Sequence, residues 1–192
     1  MSTKPKIAIF ASGYGSNFEA IARAAKSGEL ECEVALLVCD KPSARVVEVA
    51  GELGIKSFVF SARDFSSKAE YEARIVEQLV AAEVELVCLA GYMRIVGEVL
   101  LGSYEGRIIN LHPALLPSFK GAHAIKDALE YGVKVFGATI HYVDETLDGG
   151  KIIAQQAIAY EGDDLDEVTQ MIHAVEHRLY IDTIKKLLKP EK

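Results

Sequence analysis

The chain has 192 residues, half of them hydrophobic and 26% charged, with a formal net charge of −7. A chain of this length buries roughly 70% of the surface that its unfolded form exposes, so neither disulfide nor metal staples are required. No apolar run approaches the ~18 residues of a membrane span, and the negative charge opposes diffuse attraction to nucleic acid or an anionic membrane.

The N-terminal MSTKPK leads into IAIFAS, an apolar segment too short for a signal-peptide core and read as a first β-strand of a cytoplasmic protein. Short β-branched runs then alternate with amphipathic stretches: KIAIFAS and FEAIARAAKSG, CEVALLVCD and ARVVEVAGELG, KSFVF and KAEYEARIVEQLVAAE, then ELVCLAG and a short helical piece. Gly28 and Gly54 stand where helix C-caps belong. RIINLH, VKVFGATIHYVD and GKIIAQQAIAY follow as strands with less helix between them. DDLDEVTQMIHAVEHRLYIDTIKKLLK closes the chain as a long helix, acidic in its first turn and basic in its last, with Val168, Met171, Ile172, Val175 and Leu179 at core spacing. Cys32, Cys39 and Cys88 form no CxxC pair and are expected as reduced, buried thiols.

This order predicts an α/β fold: an open, mostly parallel twisted sheet with helices on both faces, mixed towards the C-terminal strands. With no repeat or linker, residues 1–192 are expected to form one domain. Ligands in such sheets bind beyond the carboxyl ends of the strands, so the loops after strands one, four and five are where chemistry is expected.

The first loop is ASGYGSN, residues 11–17. Gly13 and Gly15 let the backbone approach a ligand, Ser16 or Asn17 can cap the helix, and the free N–H groups of a helix start attract an anion. A small phosphate ester, a dinucleotide and a purely structural turn all remain open, although Phe18 stands where the dinucleotide fingerprint wants a small residue. In RIINLHPALLPSF, residues 107–119, Asn110 and His112 share one face of a strand while Ile109 and Leu111 share the other. An amide donor beside an imidazole suits a developing oxyanion, and a hydrogen-bonded pair tying down the next loop is the alternative. Pro113 and Pro117 end the strand abruptly, and Leu116-Pro117 lies where a cis bond is possible. In DETLDGGKII, residues 144–153, Asp148 before Gly149 and Gly150 is either a turn residue or a carboxylate facing the histidine. His141, flanked by Ile140 and Tyr142, reads as a structural site before it reads as a metal ligand, and Glu176 as a residue beside the apolar stripe of the last helix. His123 is a loop histidine bordering the same region.

IAIFASGYGSN, LAGYMRI, IINLHPALLPSFKG, DETLDGGKII and VEHRLY, in this order and across nearly the whole chain, resemble the phosphoribosylglycinamide formyltransferases, folate-dependent enzymes of purine synthesis. HPALLP and LDGG alone are shared with a wider group, including methionyl-tRNA formyltransferase and formyltetrahydrofolate deformylase, whose members add another domain. The resemblance implies a Rossmann-like formyltransferase fold and a catalytic trio of Asn110, His112 and Asp148. It implies that Gly13, Gly15, Ser16, Asn17, His173 and Glu176 bind the amine substrate, glycinamide ribonucleotide. Lys68, Met93, Arg94, Ile95, Val96, Glu145 and Leu147 would bind 10-formyltetrahydrofolate, a co-substrate, with Arg94 and Lys68 at its glutamate tail. No metal, nucleic acid or membrane partner is implied, and the protein would act as a monomer or homodimer. The chain departs from the family at Lys68, where relatives carry Arg, at His173, where they often place Gln or Lys, and at SFKGAHA, where they more often place a second proline before the glycine and a second histidine after it. A deformylase, with water replacing the amine, and a nucleotide-binding module without turnover are the rival readings.

Overall fold

The computed structural model describes residues 4–189, so the first three residues of the leading MSTKPK lie outside the described residues. In chain order the elements are β1 (Lys6–Phe10), α1 (Ser16–Ser27), β2 (Glu33–Cys39), α2 (Arg45–Leu53), β3 (Ser57–Val59), α3 (Lys68–Ala81) and β4 (Leu86–Leu89). They continue with α4 (Glu98–Ser103), β5 (Ile108–His112), α5 (Ala124–Tyr131), β6 (Val135–Tyr142), β7 (Ile152–Ala159) and α6 (Leu165–Leu187). A 3-10 turn at Ala62–Asp64, which no periodicity announces, separates β3 from α3.

Among the described residues seven strands form one sheet in the order β3-β2-β1-β4-β5-β6-β7. The first five in this order pair in parallel, and β6 pairs antiparallel with both β5 and β7. The expected open, mostly parallel sheet with a mixed C-terminal end is therefore the observed one. The order in which strands are added reverses between β1 and β4: β2 and β3 are added on one side of β1, and β4 opens the other. A crevice opens at such a switch.

Strand alternation builds two apolar layers. Ile7, Ile9, Leu37 and Cys88 face α1, α2 and α6, which contribute Phe18, Ile21, Val46, Val49, Tyr180 and Ile184. Ala8, Phe10, Leu36 and Val38 face the other way, under Tyr71, Ile75, Leu79 and Leu100 of α3 and α4. At the centre of the sheet both faces are buried, which is why β1, β2 and β4 read as continuous apolar runs, whereas β7 at the edge is largely exposed. Gly28 and Gly54 occupy the left-handed C-cap positions of α1 and α2, as their sequence places suggest.

In α6 the buried row is Val168, Ile172, Glu176, Tyr180 and Ile184, at a strict spacing of four. Glu176 therefore lies within the stripe rather than beside it, and Met171, expected in the core, is 37% exposed. Ile181 and Thr183 are buried beside this row, where the helix packs on α1, β6 and β7. Cys32, Cys39 and Cys88 are free and buried, and burial pushes the Cys32 thiol up to about 11. No helix among the described residues is long and apolar enough to cross a membrane.

Candidate active site

A cavity of about 610 Å³ opens over the carboxyl ends of β1, β4 and β5, within the range of small-ligand sites. Its walls include the 13–17 turn, the 91–96 segment after β4, Asn110 and His112, the 143–148 segment, and His173 and Glu176 of α6. All of the residues expected at a site converge here except Lys68, which is exposed at the start of α3 with its stem over Gly97. His123, at the N-cap position of α5, is also outside the lining.

The 13–17 turn delivers a helix start to the cavity. Neither Ser16 nor Asn17 caps α1: the N-cap is Gly15, left-handed at φ 83°, without a side-chain cap bond. The turn is braced from α2, where Val46 N–H donates to Gly13 O and the Arg45 guanidinium donates to Tyr14 O and lies over the Tyr14 ring. A Cβ on Gly15 would meet Val46 Cγ2 at 2.5 Å, whereas one on Gly13 would meet nothing within 4 Å. Gly15→Ala is thus expected to destabilise the fold by about 2–4 kcal/mol, and Gly13→Ala by well under about 1, as read by denaturant unfolding. With Glu19 N–H bonded to Gly15 O as the first helical bond, the N–H groups of residues 16–18 lack intrahelical acceptors. They are the donors that an anion would find.

β5 presents Asn110 and His112 on one face, and the register with β6 sets His141 opposite Asn110 and Thr139 opposite His112. His141 Nδ1 lies 2.8 Å from Tyr142 O, and since a carbonyl only accepts, this nitrogen carries the proton. Burial lowers the His141 pKa, so the ring is held neutral. Its Nε2 then accepts from Asn110 Nδ2 at 3.2 Å, fixing the amide and leaving its second N–H available. With both nitrogens engaged, His141 acts as a structural partner of Asn110. Among the described residues no group of three or more His, Cys, Asp or Glu side chains is arranged to hold a metal ion.

His112 is 4% exposed, and its Nε2 donates to Phe119 O at 2.8 Å. Its Nδ1 lies 3.5 Å from Asp148 Oδ2. Both ring nitrogens therefore face oxygen atoms, Nε2 the Phe119 carbonyl and Nδ1 the Asp148 carboxylate. Asp148 reaches this position from a left-handed backbone at φ 46°, and its Oδ2 accepts from Gly121 N–H at 2.8 Å. Gly150 is required in the same turn, because a Cβ there would lie 1.8 Å from Tyr142 O. The segment after β5 thus holds both His112 and Asp148, its Phe119 carbonyl on one and its Gly121 amide on the other. It is itself held by Thr139, whose Oγ1 donates to Ala114 O and accepts from Leu116 N–H, and by Gln155, bonded to Leu116 O; the Leu116-Pro117 bond is cis.

Across the cavity Glu176 is 4% exposed and accepts from Asn17 Nδ2 at 3.0 Å, while Asn17 Oδ1 is buried without a partner. Burial raises the Glu176 pKa, opposed by the Asn17 bond and the charge of His173. A carboxyl raised in the fold supports stability below its unfolded value and loses that support as pH rises through the folded one. Glu176→Gln should therefore melt with the wild type near about pH 4 and above it at neutral pH, the gap opening as pH rises. A gap that is absent at neutral pH, in thermal melts across this range, would contradict the raised value.

Residues 5–184 match the formyl transferase family. The chain belongs to that family. Phosphoribosylglycinamide formyltransferase of Bacillus subtilis (strain 168) is 52% identical over 184 residues, 95% of this chain and 94% of the relative. The crystal structure of phosphoribosylglycinamide formyltransferase from Bacillus halodurans superposes with a TM-score of 0.93 at 52% identity, covering 97% of each chain. That of glycinamide ribonucleotide transformylase 1 from Geobacillus kaustophilus gives 0.94 at 46% identity, covering 97% of this chain and all of the other. This formyl transferase is therefore an enzyme, and its cavity lies where an open α/β sheet places catalysis. Sequence reading passed over Ser12, Asp40, Thr139 and Gln155, of which Asp40 alone carried a signal, a carboxylate ending an apolar strand.

Proposed function

We propose that the protein transfers the formyl group of 10-formyltetrahydrofolate to the amine of glycinamide ribonucleotide, a step of purine synthesis, by direct attack and without a covalent enzyme intermediate. The observation that carries this reading is the meeting of Asn110, His112 and Asp148 in one cavity with an anion-accepting helix start. The similarity to enzymes named for the same substrate supports it.

In this reading the amine nitrogen attacks the formyl carbon and the carbonyl oxygen becomes an oxyanion. The free N–H of Asn110 and the His112 imidazolium stabilise that charge. The C–N10 bond then breaks, the former amine loses a proton and N10 gains one, with Asp148 relaying it, directly or through water. Gly13, Gly15, Ser16 and Asn17 hold the phosphate, His173 stands beside it, and Glu176 grips the ribose hydroxyls. Met93, Ile95, Val96, Glu145 and Leu147 line the folate site, and Arg94 meets its carboxylate end, with Lys68 farther out. No metal takes part. One domain suffices, acting as a monomer or homodimer on small molecules in the cytoplasm, a setting that three free thiols suit.

The test mixes purified protein with 10-formyltetrahydrofolate and either glycinamide ribonucleotide or buffer, following tetrahydrofolate release. Release that depends on the amine is expected. Equal release in buffer would make the protein a hydrolase, and no release with either would leave a binding module.

A further inference from the structure

The carboxylate of Asp40, just beyond β2, is 6% exposed and has no part in the chemistry above. One of its oxygens accepts from Ser12 Oγ and the other from Arg94 Nε at 2.8 Å. Ser12 Oγ in turn accepts from Met93 N–H at 2.9 Å, and Ser12 N–H donates to Gly91 O. The ends of β1 and β2 thus grip the 91–94 segment at three successive points. A carboxylate buried this deeply is tolerated only when paired and fully hydrogen-bonded, and Arg94 supplies the charge.

The bond to Asp40 uses Nε, so the terminal nitrogens of Arg94 are not engaged by it, and the Tyr71 ring lies 5.6 Å from the guanidinium. Among the described residues lining the cavity, Arg94 is the one lysine or arginine, flanked by Met93 and Ile95, 65% and 70% exposed. An apolar, cationic, apolar succession on one wall fits a ligand with a flat apolar body and an anionic end, and the direction of that single cation decides where the end can lie.

We propose that Asp40 is a positioning residue for the formyl donor: it aims the terminal nitrogens of Arg94 at the donor's carboxylate end while Ser12 holds the adjacent backbone. This rests on the formyl-transfer reading given above. Asp40 acts through Arg94 and touches no reacting atom, so its removal weakens donor binding and spares the chemical step.

Equilibrium titration of the wild type, Asp40→Ala and Asp40→Asn with tetrahydrofolate, and with tetrahydropteroate lacking the glutamate, tests this. Asp40→Ala should bind tetrahydrofolate about tenfold more weakly and tetrahydropteroate within about twofold of wild type, as expected when one charge-assisted contact is lost. Asp40→Asn, which keeps an acceptor for Nε, should recover most of the difference, and the KM for the formyl donor should rise with kcat preserved. If Asp40→Ala does not fold, a cycle of Asp40→Asn with Arg94→Met replaces it: the Asn substitution should weaken tetrahydrofolate by about threefold with Arg94 present and have no effect without it. Equal losses for both ligands, unchanged or tighter binding, or additivity in the cycle would overturn the inference while leaving formyl transfer intact. A wild type that binds neither ligand would overturn both.

Discussion

Asn110→Ala is expected to lower kcat by about 10²- to 10³-fold, the usual loss on removing one preorganised oxyanion donor. The reason is geometric. Asn110 is fixed by the neutral His141, whose Nε2 can only accept, so one amide N–H is locked and the other is set on the cavity side before any substrate arrives. A donor held this way needs no reorganisation when charge develops. The substitution also leaves His141 Nε2 buried without its partner, so a loss of about 1–3 kcal/mol in folding stability should accompany it. Rates normalised to folded protein separate the two effects. Normalised turnover near wild type would remove Asn110 from the chemistry.

Asp148→Asn is expected to cost about 10²- to 10⁴-fold in kcat, the range for losing a positioned proton carrier. This exchange is close to isosteric. Asn tolerates the left-handed backbone at this position, and its amide oxygen can still accept from Gly121 N–H, so the turn keeps its shape. What disappears is the negative charge 3.5 Å from His112 Nδ1 and the carboxylate that can accept and pass on a proton. Turnover should therefore fall with little change in melting temperature. The double variant with Asn110→Ala should lose far less than the product of the single losses, because the groups act on one transition state. Wild-type rates for Asp148→Asn, or a loss explained by unfolding, would contradict the role.

Much of the architecture is legible along the chain because the periods differ. Continuous apolar runs such as CEVALLVCD mark strands buried on both sides, and FEAIARAAKSG ends on a glycine that does cap its helix. The polar interruptions Asn110 and His112 stand out against such a run and point to the cavity. Glu176 was harder to place, since a carboxylate on a buried i+4 row is recognisable only once the packed face of the helix is known. Asp40 was overlooked although it directly follows a strand, much as His112 ends one. Nothing in its neighbourhood shows that Ser12, 28 residues earlier, and Arg94, 54 residues later, are its partners.

The amino-acid sequence alone determined the α/β class, the alternation of strands and helices, and which side chains interrupt the apolar runs, because these follow from period and local backbone preference. Tertiary structure decided what each polar group meets. The hold of His141 on Asn110 comes from a cross-strand register, the grip on His112 from a Phe119 carbonyl set by a left-handed residue, and the hold on Arg94 Nε from a carboxylate just beyond β2. Each depends on contacts between residues distant in the chain, whose energies exist only when the sheet has brought them within a few ångströms.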